Sequence, residues 1–283
     1  MNKKLITATM SLALFSTLAA CAGEIGAPEE RLLTRDEFIE KNILQSFDDD
    51  GNEVLVYDYD LALEDWDEVD FLYQAYWEEF QDGEVTSEAV INKISGWKND
   101  VWPASQRTLT YCVSNAFGGN KTKVVNAMNT AANAWEATGA NINYVYVPAQ
   151  DGGCTNSNNS VVFNVVPYAQ QGGAIAVAFF PAQSRANRQL RVNTTQAFTS
   201  SFPLDGILRH ELGHTLGLRH ETVQWKAVGT FGWHCYENSW FQALSSYDEN
   251  SVMMTPACTG SAFKNSKLVL SATDKAAIRN LYR

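Results

Sequence analysis

His210-Glu211-Leu212-Gly213-His214-Thr215-Leu216-Gly217-Leu218-Arg219-His220 gathers three of the chain's four histidines into eleven residues. On a helix, residues four apart differ by only about 40° in direction and one turn in height, so His210 and His214 present their imidazoles to one point. Glu211 lies about 100° round from His210. That is too far to join the same ligand set but near enough to reach a water bound beside it. Gly217 suits a positive φ that ends the helix, turning the chain sharply so that His220 returns as a third ligand. Three neutral imidazoles at about 2.0–2.1 Å with a fourth position left to water make an open, catalytic zinc site; a closed structural site would need another protein ligand. Zinc lowers the pKa of its water to about 7, polarises a carbonyl, and leaves Glu211 to take the proton and return it to a leaving amine. The chemistry expected is peptide-bond hydrolysis with one catalytic Zn2+. Composition alone would produce this pattern by chance only a few times in about a million chains.

The helix that carries the pair is supported by the spacing of Ile207, Leu208, Leu212 and Leu216. Around it, Arg107 to Val113, Ile142 to Val147, Val161 to Val166, Ala174 to Phe180 and Arg188 to Val192 read as strands. Lys121 to Ala137 reads as a helix with Val124, Val125, Met128, Ala131, Ala132 and Trp135 inward and Gly139 beyond its end. Ser271, with Asp274 three residues on, caps a last helix through Leu281.

The eleven-residue stretch matches the metzincin signature HExxHxxGxxH, and Ser251-Val252-Met253 resembles the Met-turn that follows it. The resemblance implies that Met253 packs beneath the metal without binding it, with Met254 as the fallback. Residues 172 to 181 are similar to the matrixin edge strand that pairs antiparallel with an extended substrate, and Leu270 to Tyr282 resembles the matrixin C-terminal helix. Taken over residues 105 to 283, the similarity implies an α+β fold: a mixed twisted sheet, an active-site helix, and a horizontal cleft. Two departures stand out. Val177 occupies the place of a matrixin structural-zinc histidine and residues 172 to 204 lack Asp, Glu and His, so no second zinc or calcium cluster is expected there. Thr255 stands where an astacin has tyrosine, which leaves the oxyanion partner unassigned. The pocket under the Met-turn, around Thr255 to Ala257, sets side-chain preference. His234, in the long stretch between His220 and Met253, reads as structural or surface.

The 283 residues carry a net charge of −11, divided unevenly. Residues 22 to 100 hold 23 acids against 5 bases, and residues 101 to 283 hold 9 against 14. A nucleic-acid partner is excluded by the acidic segment and the absence of a Lys/Arg run. Three regions follow: 1–20 a signal peptide, 21–100 an acidic, partly helical, propeptide-like region, and 101–283 the peptidase domain.

Within the acidic region Val69, Leu72, Tyr73, Tyr76, Trp77 and Phe80 form one helix face, started by Asp65 or Asp67 and ended by Gly83. Such a face must be buried, and the basic downstream region is the nearest surface. This favours an inhibitory segment docked on the catalytic domain over a solvated spacer with a small satellite core. Lacking cysteine, the segment would act through a carboxylate, Asp82 being a weak candidate.

Lys3 and Lys4 followed by the apolar run Leu5 to Ala20 read as a secretory signal. Leu18-Ala19-Ala20-Cys21 resembles a bacterial lipobox, and Ala22 favours the outer membrane by the same resemblance. The expectation is an exported protein, lipid-anchored at the surface or released outside the cell, that works as a monomer on peptide or protein substrates. The remaining cysteines, Cys112, Cys154, Cys235 and Cys258, form disulfides in that compartment. Of the three pairings open, Cys112 with Cys154 and Cys235 with Cys258 is preferred, each pair lying on one side of the histidine stretch. The alternative to an enzyme is a surface adhesion lipoprotein with a structural or degenerate zinc site.

Overall fold

The computed structural model describes residues 32–47, 53–57, 60–63, 65–70, 72–74, 89–170, 174–224, 240–244 and 247–283. The signal peptide, Cys21, Asp82, His234 and Cys235 lie outside them, as do Tyr76, Trp77, Phe80 and Gly83.

Helix α1 (Arg35–Asn42) begins in a capping box between Thr34 and Glu37 and feeds strand β1 (Ile43–Phe47). With β2 (Glu53–Tyr57) and β3 (Leu61–Leu63) it makes an antiparallel sheet. Residues 66–70 and 72–74 are helical, and the Asp65 side chain accepts the Glu68 N–H at 3.0 Å, as expected of a cap. Phe38, Leu55, Tyr57, Leu61, Leu63, Val69 and Leu72 close into one core. Strand alternation puts Leu55 and Tyr57 on that face and Val56 on the other, where Val56 and Ala62 meet Tyr168, Ala174 and Val177. Val69 and Leu72 are thus buried mainly by N-terminal residues, with Phe180 of the downstream region packed against the same core. The opposite face of the sheet docks as well.

Strands β4 (Val90–Ile94) and β5 (Lys98–Asn99) belong to a second small sheet. The main sheet is built from β6 (Thr108–Val113), β7 (Asn143–Tyr146), β8 (Phe163–Tyr168), β9 (Ala176–Val177) and β10 (Gln189–Asn193), with helix α2 (Lys121–Glu136) crossing from β6 to β7. Its order is β7-β6-β8-β10-β9, parallel except for β9, which runs antiparallel on β10. The mixed α+β architecture expected from the sequence is the one found. Two strand expectations are corrected: only Ala176 and Val177 of the stretch 174–180 pair with β10, and β8 starts at Phe163 rather than Val161. On α2 the inward set includes Ala127, while Val125 is half-buried.

Helix α3 (Leu204–Thr215) packs on α2 above the sheet, and β11 (Phe241–Ala243) completes the sheet of β4 and β5. The short α4 (Pro256–Thr259) and α5 (Ala272–Leu281) follow, the latter with the Ser271–Asp274 capping box its sequence calls for. The main core runs from Trp102 and Leu109 through Trp135, Phe163 and Leu212 to Tyr282. Cys112 and Cys154 are joined in a disulfide, and Cys258 is disulfide-bonded as well. Among the described residues no helix is long and apolar enough to cross a membrane.

Candidate metal centre

Helix α3 is buried from Gly206 to Thr215, so its placement is set by packing on every side. Trp135 donates its indole N–H to the Arg209 carbonyl at 2.9 Å. At the other end Trp102 Nε1 and the Tyr282 hydroxyl satisfy the carbonyls of Thr215 and Leu216, at 2.7 and 2.9 Å, which no further helical turn would otherwise reach. Gly217 then adopts φ +89°, and a Cβ there would strike the Asp100 carbonyl and Ile91. Glycine is required for both reasons. The turn is fixed from outside by β4: Asn92 N–H donates to Gly217 O at 2.8 Å and Arg219 N–H to Val90 O at 3.0 Å. Residues 89–99, grouped with the acidic region by charge, thus help to aim His220.

The three expected histidines meet. His210 Nε2 and His220 Nε2 stand 3.2 Å apart, close to the separation of about 3.3 Å that two ligands at zinc bond lengths have on a tetrahedron. His210 Nδ1 donates to Val252 O at 2.7 Å and His214 Nδ1 to Leu218 O at 2.8 Å. A carbonyl only accepts, so both rings carry their proton on Nδ1 and turn a lone pair on Nε2 inward. Burial first, then the neighbouring His220 and His210 against the opposing pull of Asp60, pushes His214 down to about 4, so it is neutral near pH 7.

A residue that sequence reasoning missed completes the cluster. The Asp60 carboxylate lies 2.9 Å from His220 Nε2, 3.2 Å from His210 Nε2 and 3.8 Å from His214 Nε2. Burial alone would raise this carboxyl. The imidazoles crowded against it, His220 foremost, outweigh it and hold Asp60 well below the usual range. Among the described residues Asp60 is the carboxylate at the histidines; Asp82 lies outside them. Only its place three residues after β2 and just before β3 distinguishes it from the other 22 acids of its region.

The four side chains suit a divalent cation. Their ligand atoms all lie within 4.8 Å of one another. Asp60 Oδ1, His214 Nε2 and Glu211 Oε2 are buried without a hydrogen-bond partner. Lone pairs converging without a donor between them repel unless a cation lies among them, and His3Asp is a set that zinc accepts. Burial, and after it the Asp60 charge, drives the Glu211 carboxyl well above its ordinary value, with His220 opposing.

Beneath the cluster, a Cβ on Gly213 would overlap the Met253 thioether, so Met253 sits directly under the helix at that glycine. Met254 instead lines a cavity of about 230 Å3 with Thr255, Pro256, Ala176, Ile207 and Phe202, beside His210 and Glu211. The turn bearing Met253 is tied down by Asp274, which accepts from Ser251 Oγ at 2.6 Å, Val252 N at 2.8 Å and Ser271 N at 2.8 Å. The sequence showed Asp274 only as a helix cap.

A buried histidine triad with an adjoining acid, on a helix and the turn after it against a mixed sheet, is the constellation of a metallopeptidase, a hydrolase. Residues 98–237, just under half of the chain, match the family described as dual-action HEIGH metallopeptidases, whose pentapeptide reads HELGH here. Among solved structures the chain is similar to myroilysin, at 20% identity and TM-score 0.45, covering 68% of this chain and 98% of that one. It is also similar to high choriolytic enzyme 1, a hatching-enzyme zinc protease from the medaka fish Oryzias latipes, at 15% identity and TM-score 0.44, with the same coverage. No curated protein matches the chain in sequence.

Proposed function

We propose that the chain is a zinc endopeptidase acting on extended polypeptides, with His210, His214 and His220 as ligands to one zinc ion and Glu211 as general base and acid. The observation that carries this is the convergence of three buried Nε2 atoms, with Glu211 Oε2 buried and unpartnered on the same helix. A bound zinc ion supplies Lewis acidity toward the scissile carbonyl and makes water acidic enough to be used near neutral pH. Glu211 takes the proton from the attacking water and delivers it to the leaving amine. Met253 fills the space under Gly213 and keeps the ligand helix from sinking. The apolar cavity between Ile207, Phe202 and Met254 takes an uncharged side chain of the substrate next to the bond being cut. Pairing with the sheet edge at β9 would hold substrate backbone regardless of sequence.

The test is digestion of a broad peptide library by the processed protein, with and without Glu211→Ala, and with zinc measured in both. Loss of cleavage by about 10²–10⁴-fold with zinc retained is expected. Undiminished cleavage refutes the role given to Glu211. A zinc-loaded wild-type protein that cuts nothing in any processed form favours a surface-binding lipoprotein.

The protein is further proposed to be exported and anchored by lipid at Cys21, on the strength of Lys3, Lys4, the apolar run and the lipobox-like end. Labelled palmitate incorporated by the wild type and lost in Cys21→Ser is the expected result; equal labelling of both would contradict it.

A further inference from the structure

We infer that Asn193 is a positioning residue for the substrate: its side-chain amide fixes where the free edge of β9 begins, and with it the register in which an extended peptide lies across the histidine cluster. This rests on the endopeptidase reading above and specifies how that site holds its substrate in place.

Asn193 ends β10 and is fully buried. Its amide carries two protons, and each is spent on a carbonyl of the segment that leads into β9: Nδ2 donates to Gln170 O at 2.9 Å and to Ala174 O at 2.9 Å. Oδ1 accepts from the Thr195 N–H at 3.1 Å and the Gln170 N–H at 3.4 Å, so the amide fits only one way round. The backbone N–H of Asn193 donates to Ile175 O at 2.9 Å. Gln170, Ala174 and Ile175 are therefore all held by one residue. Residues 172–204 contain no Asp, Glu or His, so this stretch carries no charged ligand for a cation to gather, and neutral hydrogen bonds hold it instead.

The consequence lies at the cleft. The Ala174 carbonyl also accepts from the Tyr168 hydroxyl, so both its lone pairs are taken and it is turned back from the sheet edge. The chain bends at Ile175 and only then enters β9. Ile175 O faces β10, whereas Ala178 gives its N–H and carbonyl to the other side. By strand alternation Ala176 faces that side too. Pairing positions for an added strand thus start at Ala176, and Ala174 supplies none. Ala174, Ile175 and Ala176 also wall the cavity beside His210 and Glu211, so a shift of this segment moves edge and cavity together relative to the metal ligands. Because a slip of one residue turns every side chain of a strand to the opposite face, a site that grips backbone needs its starting point fixed.

The full-length chain supplies its own probe of this edge: Ala178 N–H donates to Asp60 O at 2.8 Å and Ala62 N–H to Ala178 O at 3.0 Å. The experiment compares full-length wild type, Asn193→Asp and Tyr168→Phe by amide hydrogen exchange resolved to single residues. Asn193→Asp keeps the size of the side chain but sets a carboxylate oxygen against two carbonyls; Tyr168→Phe removes one donor and leaves the ring. The Ala62 and Ala178 amides should exchange about 10-fold faster or more in Asn193→Asp, and faster by a smaller factor in Tyr168→Phe. The Ser114 and Asn143 amides, bonded to Val165 O and Arg107 O across the far strands, should exchange as in wild type. Unchanged exchange at Ala62 and Ala178, or one common factor for all four amides in both variants, overturns the inference. Processed forms of the same proteins, each with one zinc, are then given library peptides. Asn193→Asp should raise KM about 10-fold with kcat within about 3-fold, and spread single cuts over neighbouring bonds. A lower kcat at unchanged KM and unchanged cut positions also overturns it. Selective exchange with no cleavage by any form, wild type included, leaves the edge assignment standing and counts against the endopeptidase reading instead.

Discussion

His210 and His214 are aimed by the nitrogens that face away from the cluster. Their Nδ1–H groups are spent on the carbonyls of Val252 and Leu218, which fixes both tautomers before any metal arrives. His220 depends instead on one glycine. At φ +89° and against the Asp100 carbonyl, Gly217→Ala meets both backbone strain and a backbone clash. The variant should lose about 2 kcal/mol or more of stability and bind zinc more weakly, read by thermal unfolding and by competition with a chelator. Unchanged melting with unchanged zinc affinity would show that the turn is not held as described. These residues were legible in the sequence because their relation is local: helical periodicity and a glycine stop act over eleven positions. Asp60 was not, since it comes from 150 residues away and is one of 23 acids in a region where any carboxylate has the right chemistry.

Among the elements, those whose pattern repeats locally were readable. Helix α2 announced its buried face, and α5 announced its cap in Ser271 and Asp274. The β9 segment was overread as a strand because its apolar run reflects burial beneath the N-terminal unit as well as sheet pairing. What the sequence did not reveal is that one cap residue joins two elements. Asp274 holds Ser251 and Val252 while starting α5, and Val252 in turn orients His210. Asp274→Ala should therefore lower zinc affinity by about 10-fold or more, beyond its effect on helix stability, as removal of an outer support of a ligand does. Isothermal titration measures this. A variant that melts earlier but binds zinc as tightly would confine Asp274 to capping.

Across the whole molecule, two regions of opposite charge, −18 and +5, were visible from composition, and so was a chemical centre in the basic one. Their relation was visible only in part. The aromatic stripe implied burial, and its described members Val69, Leu72 and Tyr73 pack mostly against the acidic region itself, with Phe180 from downstream. The docking surface includes the less conspicuous pair Val56 and Ala62, selected by strand alternation and by the reach of Asp60 to the histidines. Residues 89–99 cross the divide: acidic neighbours in sequence, they brace the turn at Gly217. The chemistry proposed for this protein needs one cation at the histidine cluster, where Asp60 of the acidic region meets His210, His214 and His220. X-ray absorption at the zinc edge of the full-length, zinc-loaded chain reads that place directly. Three imidazole nitrogens and a carboxylate oxygen at about 2.0–2.2 Å are expected, one zinc per chain. A spectrum dominated by sulfur, or fewer than two imidazoles around the metal, would contradict the site described here.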